Sequence, residues 1–416
     1  MNAAAMVLAA PHTLEPRELP LPQIGTDDAL LRVEACGLCG TDHEQYSGQL
    51  HPGHAFIPGH EAVGVIEQIG PVAAERWGVS EGQRVAVEVF RSCRECDACR
   101  AGTYRRCVRN GLATMYGFVS VDTDPGLWGG YATHQYLAPD SMVLPVPEGL
   151  DPVVATLFNP LGAGIRWGAT VPGTGPGDAV AVLGCGVRGL SAAVAAKEAG
   201  ADFVMVTGAD ERDRPRLAAA PDFGADLVVD VTEDDPIEAF RAATGRPGAD
   251  VIVDVTAKAP QVVAQAVQLA ATGGRIVIAG TRGGGGAPGF EPDHVVYKEL
   301  RIEGALGVDV VAYRAALDVL ASGRYPFADL DRVTVGLDGV EDLLRTMAGE
   351  GGTPPIHGVV TPGWGWRAAT RRRGPGAPRE TPRCTRLASQ ASAAAPIEGP
   401  RLTSRRGAAV MGRSDR

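Results

Sequence analysis

The run C-R-E-C-D-A-C-R-A-G-T-Y-R-R-C places Cys93, Cys96, Cys99 and Cys107 two, two and seven residues apart, a spacing that no packing requirement imposes. Four thiolates on one short lobe point to tetrahedral zinc, and a closed all-sulfur shell leaves no position for a substrate. Such a site folds a loop rather than performing chemistry. Two disulfides are the alternative. Met1 to Pro22, however, has no basic segment followed by a long apolar stretch, so it does not read as a secretory signal. A reducing, cytoplasmic compartment then favours metal over disulfide. An iron–sulfur cluster is a third reading, which would colour the protein.

A chain of 416 residues is too long for one ordinary core, and 45% apolar with 21% charged residues is normal for a soluble globular protein of two domains. Gly, Pro or charge interrupts every apolar run before the ~20 residues a membrane helix needs, so no membrane partner is expected. The formal charge of −10 is unevenly spread. From Trp364 onward there are twelve Arg, no Lys and three acids, so this tail carries +9 and the remainder −19. A body that acidic repels nucleic acid. The Arg-, Ala-, Gly- and Pro-rich tail shows no hydrophobic periodicity and reads as disordered.

Up to about Pro152 the chain reads as short β-runs between turn signals, among them 29–36, 61–69 and 84–89. From about Pro172 strands alternate with helices. Strands are expected at 178–183, 202–207, 250–255 and 274–279, and helices at 190–199, 260–271 and 310–322. That alternation specifies a parallel, doubly wound sheet. Inside it, V-A-V-L-G-C-G-V-R-G-L sets Gly184, Gly186 and Gly189 in G-x-G-x-x-G spacing after a strand and at a helix start. Gly184 permits the tight turn, Gly186 leaves room for a pyrophosphate and Gly189 lets helix and strand pack closely. With Val187 they form the expected dinucleotide site, the helix N-terminus stabilising phosphate charge. At the end of the next strand, where an acidic residue would grip the ribose, Gly208 stands instead. Arg212 or Arg214 could then pair with a 2′-phosphate, while Asp210 could still serve NAD, so both NAD and NADP stay open. A solvated helix start accounts for these arginines equally well.

Two further segments carry ligand chemistry, C-G-L-C-G-T-D-H-E around Cys39 and P-G-H-E-A-V-G-V-I-E-Q-I-G around His60. With the four-cysteine lobe and the glycine motif, they make the chain from about Ala4 to Pro362 resemble the zinc-containing medium-chain dehydrogenase/reductase family of alcohol, polyol and threonine dehydrogenases. Gly59, His60 and Glu61, followed by Gly64 and Gly70, fit that family's zinc signature. The resemblance implies an α/β fold with a β-rich GroES-like catalytic domain over 1–155 and 297–363. A doubly wound parallel-sheet Rossmann domain over 156–296 and a disordered tail over 364–416 complete it. It also implies that Cys39 and His60 bind a catalytic zinc, distinct from the structural one, that Thr41 relays the substrate proton, and that the chains form homodimers or homotetramers.

At the family's third-ligand position, in L-F-N-P-L-G-A-G, this sequence has Asn159, and a neutral amide is a poor zinc ligand. Glu61 is the natural substitute, with Asn159 left as a supporting or substrate contact. Alternatively Glu61 only hydrogen-bonds behind the metal. Many relatives place a histidine where Glu44 stands, so proton relay from Thr41 is expected to run through Glu44 or water, and Glu44 inclines the reading toward polyols and sugars. The function expected is hydride transfer between a secondary alcohol, polyol or sugar and NAD(P). The alternatives are a zinc-independent quinone- or enoyl-type reductase of the same fold and a non-enzymatic nucleotide-binding protein.

Overall fold

The computed structural model describes residues 1–257, 259–283, 286–350 and 353–363. The chain opens with a hairpin of β1 (Asn2–Ala10) and β2 (Thr13–Pro20). It continues through β3 (Ala29–Leu38), β4 (Glu61–Ile69), β5 (Arg84–Val87), β6 (His134–Leu137) and β7 (Val143–Pro145). These five strands pair antiparallel and form most of a seven-stranded sheet, with β6 alongside β3.

The next six strands are β8 (Ala179–Leu183), β9 (Phe203–Gly208), β10 (Leu227–Asp230), β11 (Ala249–Asp254), β12 (Ala270–Ile278) and β13 (Arg301–Gly304). They form a wholly parallel sheet in the order β10-β9-β8-β11-β12-β13. Every residue of β8 is buried, as a central strand covered on both faces requires. The helix Val187–Glu198 supplies one cover with an unbroken buried run from Gly189 to Ala196, whose small side chains let it lie close to the sheet. Because β9 lies on one side of β8 and β11 on the other, the strand order reverses there, and a crevice opens beyond their carboxyl ends.

The chain then returns to the first sheet with β14 (Arg332–Val335) and β15 (His357–Val360), β15 pairing with β3. β13 stays hydrogen-bonded to β12, and the helix Val310–Ser322 packs against the helix Phe158–Ile165, their Phe158 and Tyr313 rings 4.9 Å apart. The irregular sequence after Tyr297 concealed a short edge strand. One apolar cluster runs from Val63 and Ala86 through Phe158 to Val182 and Tyr313, so the antiparallel and parallel halves share a core. The expected tail over 364–416 lies outside the described residues.

Candidate active site and metal centres

The four-cysteine lobe is built from consecutive short turns, a helical turn Asp97–Arg100 and a tighter one Tyr104–Arg106. They bring the sulfurs of Cys93, Cys96, Cys99 and Cys107 within 4.8 Å of one another. Cys93 Sγ lies 3.7 Å from Cys99 Sγ, and Cys96 Sγ lies 4.0 Å from Cys107 Sγ. These separations are far beyond a disulfide bond of about 2.05 Å and suit four sulfurs each about 2.3 Å from one zinc. Backbone N–H groups of Val108 and Cys99 pull the Cys96 thiol down to about 6, toward the thiolate a metal needs. The Cys96 and Asn110 amides donate to Cys93 and Cys107 sulfur. Tyr104 anchors the lobe to the body, donating to buried Glu88 at 2.6 Å and accepting from the Val310 amide.

The second centre is assembled from residues far apart in the chain. Cys39 follows β3 directly and caps the helix Gly40–Tyr46, while His60 immediately precedes β4. Antiparallel register sets Gly37 opposite Glu61. A Cβ at Gly37 would collide with the Glu61 carboxylate, so glycine is what lets Glu61 point inward there. Cys39 Sγ and His60 Nε2 stand 3.2 Å apart, both buried. Asp42 lies behind them. Its carboxylate accepts from the Cys39 amide at 2.9 Å and the Gly59 amide at 3.3 Å, and faces His60 Nδ1 at 3.5 Å. Burial opposes a charge on His60, but Cys39 and Asp42 outweigh it and raise the imidazole to about 10.

These donors fit zinc. A thiolate and an imidazole nitrogen at this separation can both reach an ion at ordinary zinc distances, and the Asp42 carboxylate stands on the Nδ1 side of the ring, away from Nε2. Asp42 also lies within 4.8 Å of both groups. Its two oxygens already accept from two backbone amides and one stands 3.5 Å from His60 Nδ1, a placement that favours supporting His60 over binding the metal. Sequence reasoning passed over it, although its position three residues after Cys39, where it closes a capping box, marks a carboxylate turned back on the Cys39 amide.

Glu61 is not brought into that group. Its Oε1 faces Arg188 Nη2 at 3.5 Å, and burial raises its carboxyl while Arg188 and His60 pull it down. Asn159, on the helix Phe158–Ile165, donates to Tyr313 Oη at 2.8 Å and accepts from Arg188 Nη2 at 3.4 Å. Arg188, inside the glycine motif, is a second residue of the cavity that the sequence reading did not single out. A charged residue in a turn otherwise made of Gly, Cys and Val was the available signal.

A cavity of about 620 Å³ joins the two halves, with Cys39, Glu44 and Glu61 on one wall and Gly184, Gly186 and Gly208 on the other. His43 lines it too, while Thr41 is half-buried on the same short helix. Gly184 has φ +107, a conformation that favours glycine. A Cβ at Gly189 would collide with the Gly184 carbonyl, whereas Gly186 has open space beside it. Val187 is the first residue of the helix. At Gly208 a Cβ would come within 2.6 Å of Cys185 Sγ and 2.9 Å of Leu217, which explains physically why no carboxylate ends β9. Asp210 follows at φ +64, accepting from the Arg212 amide at 2.9 Å, with its carboxylate 3.6 Å from the exposed Arg212 guanidinium.

The family model for the alcohol dehydrogenase GroES-like domain matches residues 25–148, and that for the zinc-binding dehydrogenase domain matches 188–322. The chain is 69% identical over 360 residues to the probable alcohol dehydrogenase of Mycobacterium tuberculosis H37Rv, covering 86% of this chain and 98% of that one. This chain belongs to the zinc-containing medium-chain dehydrogenase family. It is also 32% identical over 204 residues to sorbitol dehydrogenase of Bacillus subtilis, covering 48% of this chain and 54% of that one. A Sinorhizobium meliloti 1021 protein crystallised with NADP superposes with TM-score 0.75 at 27% identity, covering 87% of this chain and 100% of that one. Family membership makes the protein a zinc- and nicotinamide-dependent oxidoreductase. Among the described residues no helix is long and apolar enough to cross a membrane.

Proposed function

We propose that the protein oxidises a small alcohol or polyol, and reduces the corresponding carbonyl, with NAD or NADP as hydride partner. The observation that carries this reading is the 3.2 Å approach of Cys39 Sγ to His60 Nε2 beside a cavity lined both by Cys39 and by the glycine turn. Cys39 and His60 would hold a zinc ion that would supply Lewis acidity toward the substrate oxygen, and the glycine turn would hold a nicotinamide cofactor that would supply the hydride partner. The chain's own residues do the rest. Asp42 supports the His60 ring from its Nδ1 side, and Gly186 with the Val187–Glu198 helix start receives the pyrophosphate. Arg212 beside Asp210 meets the adenosine ribose or its 2′-phosphate. Cys39 and His60 are proposed as ligands with Glu61 as the third donor, reached when it turns from Arg188. Asn159 supports Arg188.

Thr41 is proposed to accept the substrate hydroxyl proton and pass it toward Glu44 and His43 at the cavity wall. The similarity to sorbitol dehydrogenase and the carboxylate of Glu44 both favour a polyol. We place the domain division at the helix Phe158–Ile165 on one side and between β13 and β14 on the other. The cytoplasm is the proposed compartment, supported by four thiols held at non-bonded distances. A homodimer or homotetramer is proposed, with β13 as an open sheet edge flanked by exposed Val296 and Tyr297.

Formation of reduced cofactor over a panel of alcohols, polyols and sugars, with NAD and NADP in parallel, tests the reading. Chelation should abolish turnover and zinc should restore it. Turnover unchanged after full metal removal would instead support a metal-independent reductase, although the four-thiol lobe already counts against that class.

A further inference from the structure

Arg188 is the point where the two halves of the active site touch electrostatically. It sits two residues past Gly186 in the dinucleotide turn, yet its side chain crosses the cavity to the metal donors of the other half. One nitrogen, Nη2, reaches both Glu61 Oε1 at 3.5 Å and Asn159 Oδ1 at 3.4 Å. The guanidinium carbon lies 5.7 Å from the centre of the Trp167 ring, which supports its plane. Its Nε is buried without a hydrogen-bond partner.

This is not the geometry of a finished ion pair. A settled arginine–carboxylate pair is bidentate, at about 2.7–2.9 Å, whereas here a single nitrogen divides itself between two oxygens at the outer limit of hydrogen bonding, and the guanidinium also interacts with the Cys39 thiol. Glu61 is the buried carboxylate next to His60, with Gly37 packed against its other oxygen. In this structure Glu61 faces Arg188 and stands outside the Cys39–Asp42–His60 group, so a cation at Cys39 and His60 would gain this carboxylate only by drawing it from Arg188.

We propose that Arg188 is a positioning residue that shares Glu61 with the catalytic metal, so that the dinucleotide turn sets how tightly that metal is held. The inference rests on the proposed zinc site at Cys39 and His60. Because the turn carrying Arg188 is also the one that receives the pyrophosphate, the two affinities are linked and the coupling is reciprocal.

The test is zinc affinity, read without turnover. Full-length protein is titrated against a chromogenic chelator, and the catalytic phase is identified as the one missing in Cys39→Ser. Arg188→Met should tighten that phase by about tenfold, within the usual range for coupled sites, and leave the four-cysteine phase unmoved. Glu61→Gln added to Arg188→Met should cancel the gain. Arg188→Lys, which keeps the charge, should stay close to wild type, and Arg188→Gln serves if the Met variant does not fold. NADH fluorescence titrations should show wild-type affinity shifting on zinc loading by about fivefold or more, and Arg188→Met losing the shift. Unchanged or weaker zinc binding in folded Arg188→Met overturns the proposal, as does a gain that survives Glu61→Gln. A wild-type chain that binds zinc at the cysteine lobe alone overturns the active-site reading itself, a result distinct from either.

Discussion

The two metal centres use the same element in opposite ways. At the lobe, four sulfurs come from a stretch of fifteen residues, brought within 4.8 Å by successive tight turns, so that one ion would satisfy all four. At the active site the proposed donors are Cys39, just after β3, and His60, just before β4, with Glu61 turned toward an arginine 127 residues away. A locally encoded, saturated shell makes a staple. A shell built by sheet register, with one carboxylate contested, leaves a coordination position for chemistry. Metal loss at the first should cost stability and at the second activity.

The sharpest break of that comparison exchanges one ligand at each centre. Cys107→Ser should destabilise the fold by several kcal/mol, read as a lower melting temperature with one zinc fewer per chain. Cys39→Ser should lower turnover by about a thousandfold or more, roughly 4 kcal/mol of transition-state stabilisation, while the melting temperature moves little. If both variants lose stability alike, the division between staple and catalyst is wrong.

Asp42→Asn probes the support behind His60, and zinc affinity at the catalytic site should fall about 10- to 100-fold. Equal affinity, measured by chelator competition, would mean that the carboxylate only caps the helix. Gly208→Asp tests why β9 ends without a carboxylate. Its side chain would meet Cys185 and Leu217, so the variant should melt earlier and gain no preference for NAD over NADP.

A gentler difference is expected from pH. Burial raises the Glu88 carboxyl beneath the lobe to about 8. Its folded value thus exceeds the ordinary value near 4.5, so the folded state holds the extra proton between them. Stability contributed by protonated Glu88 is complete below about 4.5 and is lost as pH rises toward 8. Denaturant melts across that window should slope downward, and Glu88→Gln should flatten the slope.

What could be read from the sequence follows the same division. The cysteine lobe and the glycine turn are local, so spacing and neighbouring periodicity were enough to mark them. Arg188 was not marked because its contacts arise only when the parallel half closes on the antiparallel one, and Asp42, though turned back locally on the Cys39 amide, meets His60 only through the fold. Glu61 was expected on the metal, and proximity to His60 in the chain gave no hint of a guanidinium arriving from the glycine motif. The alanine-rich opening Asn2–Ala10 was not assigned at all. Alanine favours helix, but here its small side chains allow a buried strand to bridge to Ala132 and Phe56.

Anomalous scattering at the zinc edge from crystals of the whole chain addresses the central claim most directly. Two sites per chain should appear, one among the four lobe sulfurs and one about 2.3 Å from Cys39 Sγ and about 2.0 Å from His60 Nε2, facing the nucleotide cavity. A lone peak at the lobe, with Cys39 and His60 bonded only to each other in zinc-saturated crystals, would contradict it.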